Sequence, residues 1–263
     1  VTDLNVLSLF AGIGGLELGL ERAGMTTVGQ VELDPYCTEV LATHWPEVPR
    51  HDDVRTAPEW WLSEPRPRVD VVCGGFPCQP FSYAGKQLGT ADERWGWPWM
   101  ADVVRAVGPR YVFVENVAAL ARDRDAFGWM LGDLADLGFD AEWSVLSAPE
   151  FGAPQASRER LYLVAYAAGV DGRARDCVGA GRVGGSPLAA GGLSGLPVAE
   201  RRQSSRQWLA SEPRVDRLVD GLSSRVGQLK AYGNAVIPAA AERIGRLIVA
   251  HHNQLTLAHG GTT

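Results

Sequence analysis

Cysteine is scarce in this chain: four residues in 263, at positions 37, 73, 78 and 177. None stands in paired metal spacing, four residues separate Cys73 from Cys78, and no histidine cluster lies nearby, so no metal centre is expected. They read as reduced thiols of a cytosolic protein. Long apolar runs are missing as well. Nothing approaches the ~20 residues of a membrane span. Asn5 to Phe10 is too short for a signal-peptide core, and no charged stretch precedes it, so a cytoplasmic location is expected. No internal repeat is visible. Positive charge is not in excess either, since the net charge of −6 argues against nucleic acid for the chain as a whole. The halves differ, however. Residues 1 to 149 hold 11 basic and 22 acidic side chains, a balance of −11, whereas residues 150 to 263 hold 14 and 9, a balance of +5. That asymmetry points the second half toward a polyanion. Hydrophobic content of 46% suits one large domain, or one with a small companion.

What is present is an alternation of strand and helix signals. Val6 to Phe10 reads as a strand, Gly14 to Arg22 as a helix, Thr27 to Val31 as a second strand, and Pro35 to His44 as a helix with proline in its first turn. Val69 to Cys73, Tyr111 to Glu115 and Leu161 to Ala165 are further strands, and Trp99 to Val107 and Ala126 to Leu137 carry helical spacing. The expected fold is α/β, a doubly wound and mainly parallel sheet. From about Ala167 to Arg214 the character changes to seven arginines and little periodicity, with seven glycines between Gly179 and Gly195. A helix signal returns at Ala235 to Ala250. The organisation read from this is an α/β domain over 1–166, a short insert over 167–216, and a C-terminal segment over 217–263.

Four groups of residues carry chemistry. The first strand runs into Ala11-Gly12-Ile13-Gly14-Gly15, where glycines allow a tight turn and the next helix offers free N–H groups to a nucleotide-like cofactor. Glu32, 17 positions after Gly15, stands where an acid can take both hydroxyls of a ribose. Cys78, flanked by Pro77 and Pro80 on a stiff backbone just past a strand's C-terminal end, lies where open α/β sheets place their chemistry. Glu115 and Asn116 end another strand, at the same sheet edge if the two strands are neighbours, and partial desolvation would let Glu115 hold a proton. Arg158 and Arg160, at i and i+2 on extended backbone, point the same way and could fork around carbonyl or phosphate oxygens.

Together these phrases resemble the DNA (cytosine-5) methyltransferases, over most of the chain and in the right order: FAGIGG at 10–15, GGFPCQPFS at 74–82, ENV at 115–117, RER at 158–160 and GNAVIP at 233–238. The resemblance implies a class I S-adenosylmethionine-dependent, Rossmann-like fold. It makes Cys78 the nucleophile that attacks C6 of a cytosine flipped from duplex DNA, so that C5 accepts the methyl of S-adenosyl-L-methionine. Glu115 would hold N3, Arg160 the base carbonyl, Arg158 a neighbouring phosphate or the loop, and the Phe76 carbonyl the exocyclic amine. On the cofactor side it implies Phe10, Gly12, Gly14, Gly15, Glu32 for the ribose, Asp53 for the adenine amine, Pro77, Asn234 and Val236. Pro80 to Trp99 would be the loop that closes over DNA, with Trp95, Trp97 and Trp99 packing on the pocket, the substrate or the core. A monomer is implied, and so is a functional pairing with a restriction endonuclease.

The chain departs from the family pattern in three places. Two residues, not one, separate Gln155 from Arg158. The stretch between Tyr166 and Arg217, where the family carries target recognition, is short. No glycine precedes Asp53 in His51-Asp52-Asp53. An RNA cytosine-5 methyltransferase would use the same catalytic residues. A non-catalytic DNA-binding relative would not need Cys78, Glu115 and Arg160 together. A nicotinamide-dependent dehydrogenase would share the glycine turn but has no use for Pro-Cys-Gln.

Overall fold

The computed structural model describes residues 4–77, 95–153, 158–167 and 235–260. Within them a seven-stranded sheet has the order β3-β2-β1-β4-β5-β7-β6. The strands are β1 Asn5–Leu9, β2 Thr26–Val31, β3 Arg50–His51, β4 Val71–Gly74, β5 Tyr111–Val117, β6 Phe139–Ser147 and β7 Glu159–Ala167. All pairings from β3 across to β5 are parallel, and β7 runs antiparallel between β5 and β6. The sheet is therefore mixed and mostly parallel, as the strand–helix alternation predicts.

Helices cover both faces, which is why the central strands are mostly apolar rather than alternating. On one face α1 (Gly15–Arg22) and α6 (Pro238–Gly260) pack over Val6, Val71, Cys73, Tyr111, Phe113 and Val164. On the other, α3 (Ala57–Leu62), α4 (Trp97–Val107) and α5 (Arg124–Asp136) cover Leu7, Leu9, Val72, Val112, Val114 and Leu163. The remaining helix, α2, spans Pro35–His44, the bounds expected from its sequence. The Asp34 carboxylate accepts from the Tyr36 N–H and proline occupies the first turn, so both start signals act together.

Several bounds differ from expectation for physical reasons. α4 begins at Trp97, because Pro98 is tolerated in a first turn where its missing N–H costs nothing. α6 begins at Pro238 and runs on through Gly260. β4 ends at Gly74. β3, α3 and β6 were not expected from the sequence. The glycine-rich insert and most of the loop from Pro80 lie outside the described residues.

The chain order reverses between β1 and β4: β2 and β3 lie on one side of β1, β4 and β5 on the other. Such a switch point leaves a crevice beyond the carboxyl ends of the two strands. The glycine turn that follows β1 and the Gly75-Phe76-Pro77 run that follows β4 both open onto it.

Candidate active site

The crevice has two ends. At the first, the turn after β1 places Phe10, Gly12 and Gly14 at φ values of 53°, 57° and 88°. Phe10 is the one non-glycine residue with positive φ among the described residues, a strained conformation that clusters at ligand sites. Folding the backbone this way aims the Gly12 N–H at Glu32, whose Oε2 accepts it at 2.7 Å while Oε1 accepts the Asp34 N–H at 2.7 Å. Burial pushes the Glu32 carboxyl above its ordinary range, and those N–H donors work against the rise. Space beside Gly12 is open: a Cβ there would meet no atom within 4 Å. At Gly15 the opposite holds. A Cβ would come within 2.6 Å of the Val236 carbonyl, so only glycine lets the segment before α6 approach the start of α1.

Asp53 follows β3, the strand beside β2, and the Glu32 N–H donates to the His51 carbonyl at 2.9 Å. Its carboxylate caps the short 3-10 turn Val54–Thr56 and accepts from both the backbone and the guanidinium of Arg55. These donors hold it down at about 2. Leu33, between Glu32 and Asp34, is 71% exposed. This is an apolar side chain beside the expected ribose acid that sequence reasoning did not single out; its signal was an aliphatic residue between two carboxylates.

At the other end, Glu115 stands on β5, next to β4, so the neighbourhood that the sequence required is met. Antiparallel β7 brings its first residues to this same edge. Val117 faces Arg160 and Glu115 faces Tyr162. Arg160 is thus the diagonal neighbour of Glu115 on one face of the sheet, within reach of a long side chain. Its Nε lies 3.2 Å from Glu115 Oε1. Glu115 is only 7% exposed. Burial pushes its carboxyl up, and the Arg160 and Arg158 cations oppose that shift. Arg158 itself is pulled down by burial and donates through Nη2 to the Ala235 carbonyl, one residue before Val236. Arg160 thus pairs with the Glu115 carboxylate, whereas Arg158 is engaged by the Ala235 carbonyl.

Between the two ends, the run after β4 is firmly held. Asn116 Nδ2 donates to the Phe76 carbonyl at 3.1 Å, and its Oδ1 accepts the Val117 N–H at 2.8 Å. The sequence marks Asn116 only as an amide at the strand's end; in the structure it fixes Phe76. The Phe76 ring packs on Trp95 and Trp97, at 5.3 and 5.8 Å between centroids. The Gly96 N–H donates to the Pro77 carbonyl at 3.3 Å. Trp95 and Trp97 are therefore core residues, and Trp97 also donates to Asp133 at 2.7 Å. Trp99 is partly buried with the Arg55 guanidinium over its ring. Cys78 comes immediately after Pro77 but, like Gln155 and Asn234, lies outside the described residues. Among the described residues no cluster of three or more His, Cys, Asp or Glu side chains could hold a metal. No helix among them is long and apolar enough to cross a membrane.

Comparison with known proteins gives a family from sequence and a fold from shape. A family model described as C-5 cytosine-specific DNA methylase matches residues 4–176. The type II methyltransferase M.NaeI of Lentzea aerocolonigenes is 33% identical over 232 residues, which is 86% of this chain and 54% of that protein. M.HhaI of Haemophilus parahaemolyticus is 34% identical over 169 residues, 63% of this chain and 50% of that protein. The chain thus spans about half the length of these curated relatives. Among solved structures, the Entamoeba histolytica methyltransferase EhMeth superposes with a TM-score of 0.58 at 14% identity, covering 97% of this chain and 99% of that one. A putative DNA modification methyltransferase encoded within a prophage of E. coli gives 0.52 at 23%, covering 63% and 47%. Those two likenesses speak for the fold. With two thirds of its length matched by the family model and the strand order built around its motifs, the chain belongs to the C-5 cytosine-specific DNA methylase family.

Proposed function

We propose that this chain methylates C5 of cytosine in double-stranded DNA, using S-adenosyl-L-methionine. The observation that carries the reading is the pair of buried Glu115 and half-buried Arg160, 3.2 Å apart, at the edge of the strand next to the one that leads into Cys78. A carboxyl pushed up by burial can hold a proton against a ring nitrogen, and a guanidinium beside it can take the base carbonyl. Both favour electron withdrawal from a pyrimidine ring. The Cys78 thiolate then adds to C6, the C5–C6 π electrons move to C5, and C5 becomes able to accept a methyl group. Loss of the C5 proton returns the electron pair, expels the thiolate and restores the double bond. The target base must leave the duplex for this, at a cost of a few kcal/mol.

The residues at the other end fit the cofactor. Open space lies beside Gly12, a half-buried carboxylate is pinned behind the turn, and a second acceptor stands one strand away at Asp53. Phe10, Gly12, Gly14, Gly15 and Glu32 would hold its ribose and methionine side, Asp53 its adenine amine, and Pro77, Asn234 and Val236 would close the pocket. When bound, S-adenosylmethionine supplies the methyl group as an electrophile on a sulfonium. The relatives' description as type II methyltransferases supports a place beside a restriction endonuclease. Residues 1–166 would carry catalysis and cofactor binding, residues 167–216 would form a short recognition insert, and 217–263 would return to the catalytic domain. A cytoplasmic monomer completes the reading.

The test is transfer of label from S-adenosylmethionine to duplex DNA or to tRNA, with Cys78→Ser as control. Label in DNA that disappears with Cys78→Ser supports the proposal. Label in tRNA alone would make it an RNA enzyme, and equal label with the variant would remove Cys78 from the nucleophile's role.

A further inference from the structure

Asp53 is held by more than its cap. Oδ1 accepts the Arg55 N–H and Nε, each at 2.9 Å, and Oδ2 accepts Nε at 3.0 Å and Nη2 at 2.6 Å. A guanidinium is a planar fork and fixes a carboxylate in rotation as well as position. Arg55 brings three hydrogens to the four lone-pair sites of the carboxylate; the single Nε–H, shared between the two oxygens, lies nearer Oδ1, which leaves one acceptor site on Oδ2. Arg55 is itself braced, its guanidinium carbon lying 6.0 Å from the centre of the Trp99 ring on the first turn of α4. His51 and Asp52 are the other titratable neighbours on this segment, and His51 has its own partners in Thr56 and the stacked Trp60 ring.

We infer that Arg55 is a specificity-positioning residue: by clamping Asp53 it presents one ionised, acceptor-only oxygen in a fixed direction, and so selects a purine that bears an amine over one that bears a carbonyl. The inference rests on Asp53 being the adenine acid. An ionised carboxylate accepts from an exocyclic amine but meets a carbonyl oxygen as a second acceptor, with no proton between them. A site shaped for one partner discriminates most when its own polar group cannot turn away. The clamp removes that freedom.

The test compares two ligands on each variant: S-adenosylhomocysteine, and its deaminated counterpart S-inosylhomocysteine, which carries a carbonyl in place of the amine. Titration calorimetry of the full chain gives the ratio of their Kd values. Arg55→Ala should shrink that preference by about tenfold, mainly by weakening the adenine ligand. Arg55→Lys, which keeps the charge but not the fork, should fall between. A general loosening of the fold, or loss of a nearby positive charge, would weaken both ligands alike and leave the ratio standing; that result overturns the inference, as does an unchanged ratio with unchanged affinities. Asp53→Ala separates the two levels. If it leaves the preference intact, Asp53 is not the adenine acid. If it abolishes the preference while Arg55→Ala does not, only the role of Arg55 fails.

Discussion

Glu32, half-buried, and Glu115, buried, are both carboxylates at the carboxyl edge of the sheet, and burial pushes both upward, yet they are held in opposite ways. Glu32 is pinned by the N–H groups of Gly12 and Asp34, part of the backbone of the turns beside it. Glu115 is held by guanidinium groups that arrive from a strand more than 40 residues further along the chain. Backbone donors survive nearly any side-chain replacement, so the first end is broken only where backbone geometry is forced. Side-chain cations vanish with one mutation. The cofactor end should therefore be robust and the base end fragile.

The sharpest test removes the cation. Arg160→Ala leaves Glu115 buried beside Arg158 alone, drives its carboxyl further upward and takes away the group aimed at the base carbonyl. Turnover on DNA should fall roughly 10³-fold. Cofactor affinity by calorimetry should stay within about threefold, because no donor to Glu32 has moved. A matching loss of cofactor binding would mean that the two ends are one unit and the contrast false.

Glu17 offers a third case, a carboxyl with little support of either kind. It is fully buried on α1, with the Ser8 hydroxyl and its own backbone N–H as weak support and no cation among its partners. Burial lifts it to about 7, with Glu21 and Glu32 adding repulsion. Between its ordinary 4.5 and that value the native state keeps a proton that the unfolded chain has lost. Stability contributed by the neutral form is thus fully present below 4.5 and declines as pH rises, the whole loss of up to ~3 kcal/mol being reached above pH 7. Glu17→Gln should remove that slope. Urea melts should show the variant more stable than the parent at pH 8 and nearly equal at pH 4. A variant less stable at pH 8 would mean that the charged form has a partner after all.

Forcing the backbone is the way to break the cofactor end. Gly15→Ala sets a methyl 2.6 Å from the Val236 carbonyl, and backbone cannot swing aside as a side chain can. A cost of about 2 kcal/mol in stability is expected. Cofactor binding should weaken with it, whereas turnover at saturating cofactor should change little, the reverse of Arg160→Ala.

The same division explains what the sequence could disclose. The turn, Glu32 and α2 were legible because each is local: glycines, an acid at a set offset, a cap and a proline act within a few residues. Glu115 was legible as an acid ending an apolar strand. The direction of β7 was not, because an apolar run reads alike parallel or antiparallel, and it is that direction which delivers Arg158 and Arg160. β6 was missed although Phe139, Ala141, Trp143 and Val145 alternate with Asp140, Glu142 and Ser144, the period of a half-buried strand; Trp143 and Val145 stay exposed on this edge strand. β3 is two residues long, too short for any periodicity. Glu17 breaks the amphipathic rule outright, a charged residue type on the buried side of α1. Cys78, the clearest residue in the sequence, lies outside the described residues.

The smallest effect tests what aligns the base end. Arg122, in the 3-10 turn after β5, reaches Glu159 at 3.2 Å, and Glu159 sits between the two arginines of the site. Both partners are more than half exposed, so water screens the pair and holding two long side chains together costs entropy. The β5–β7 ladder, by contrast, runs unbroken from Tyr111–Tyr166 to Val117–Arg160. If the ladder sets where Arg160 stands, Arg122→Ala should change stability by less than ~0.5 kcal/mol in urea melts. A larger loss would show that the strand's first residues depend on an exposed ion pair, and the fragile end of the cleft would then extend to its surface.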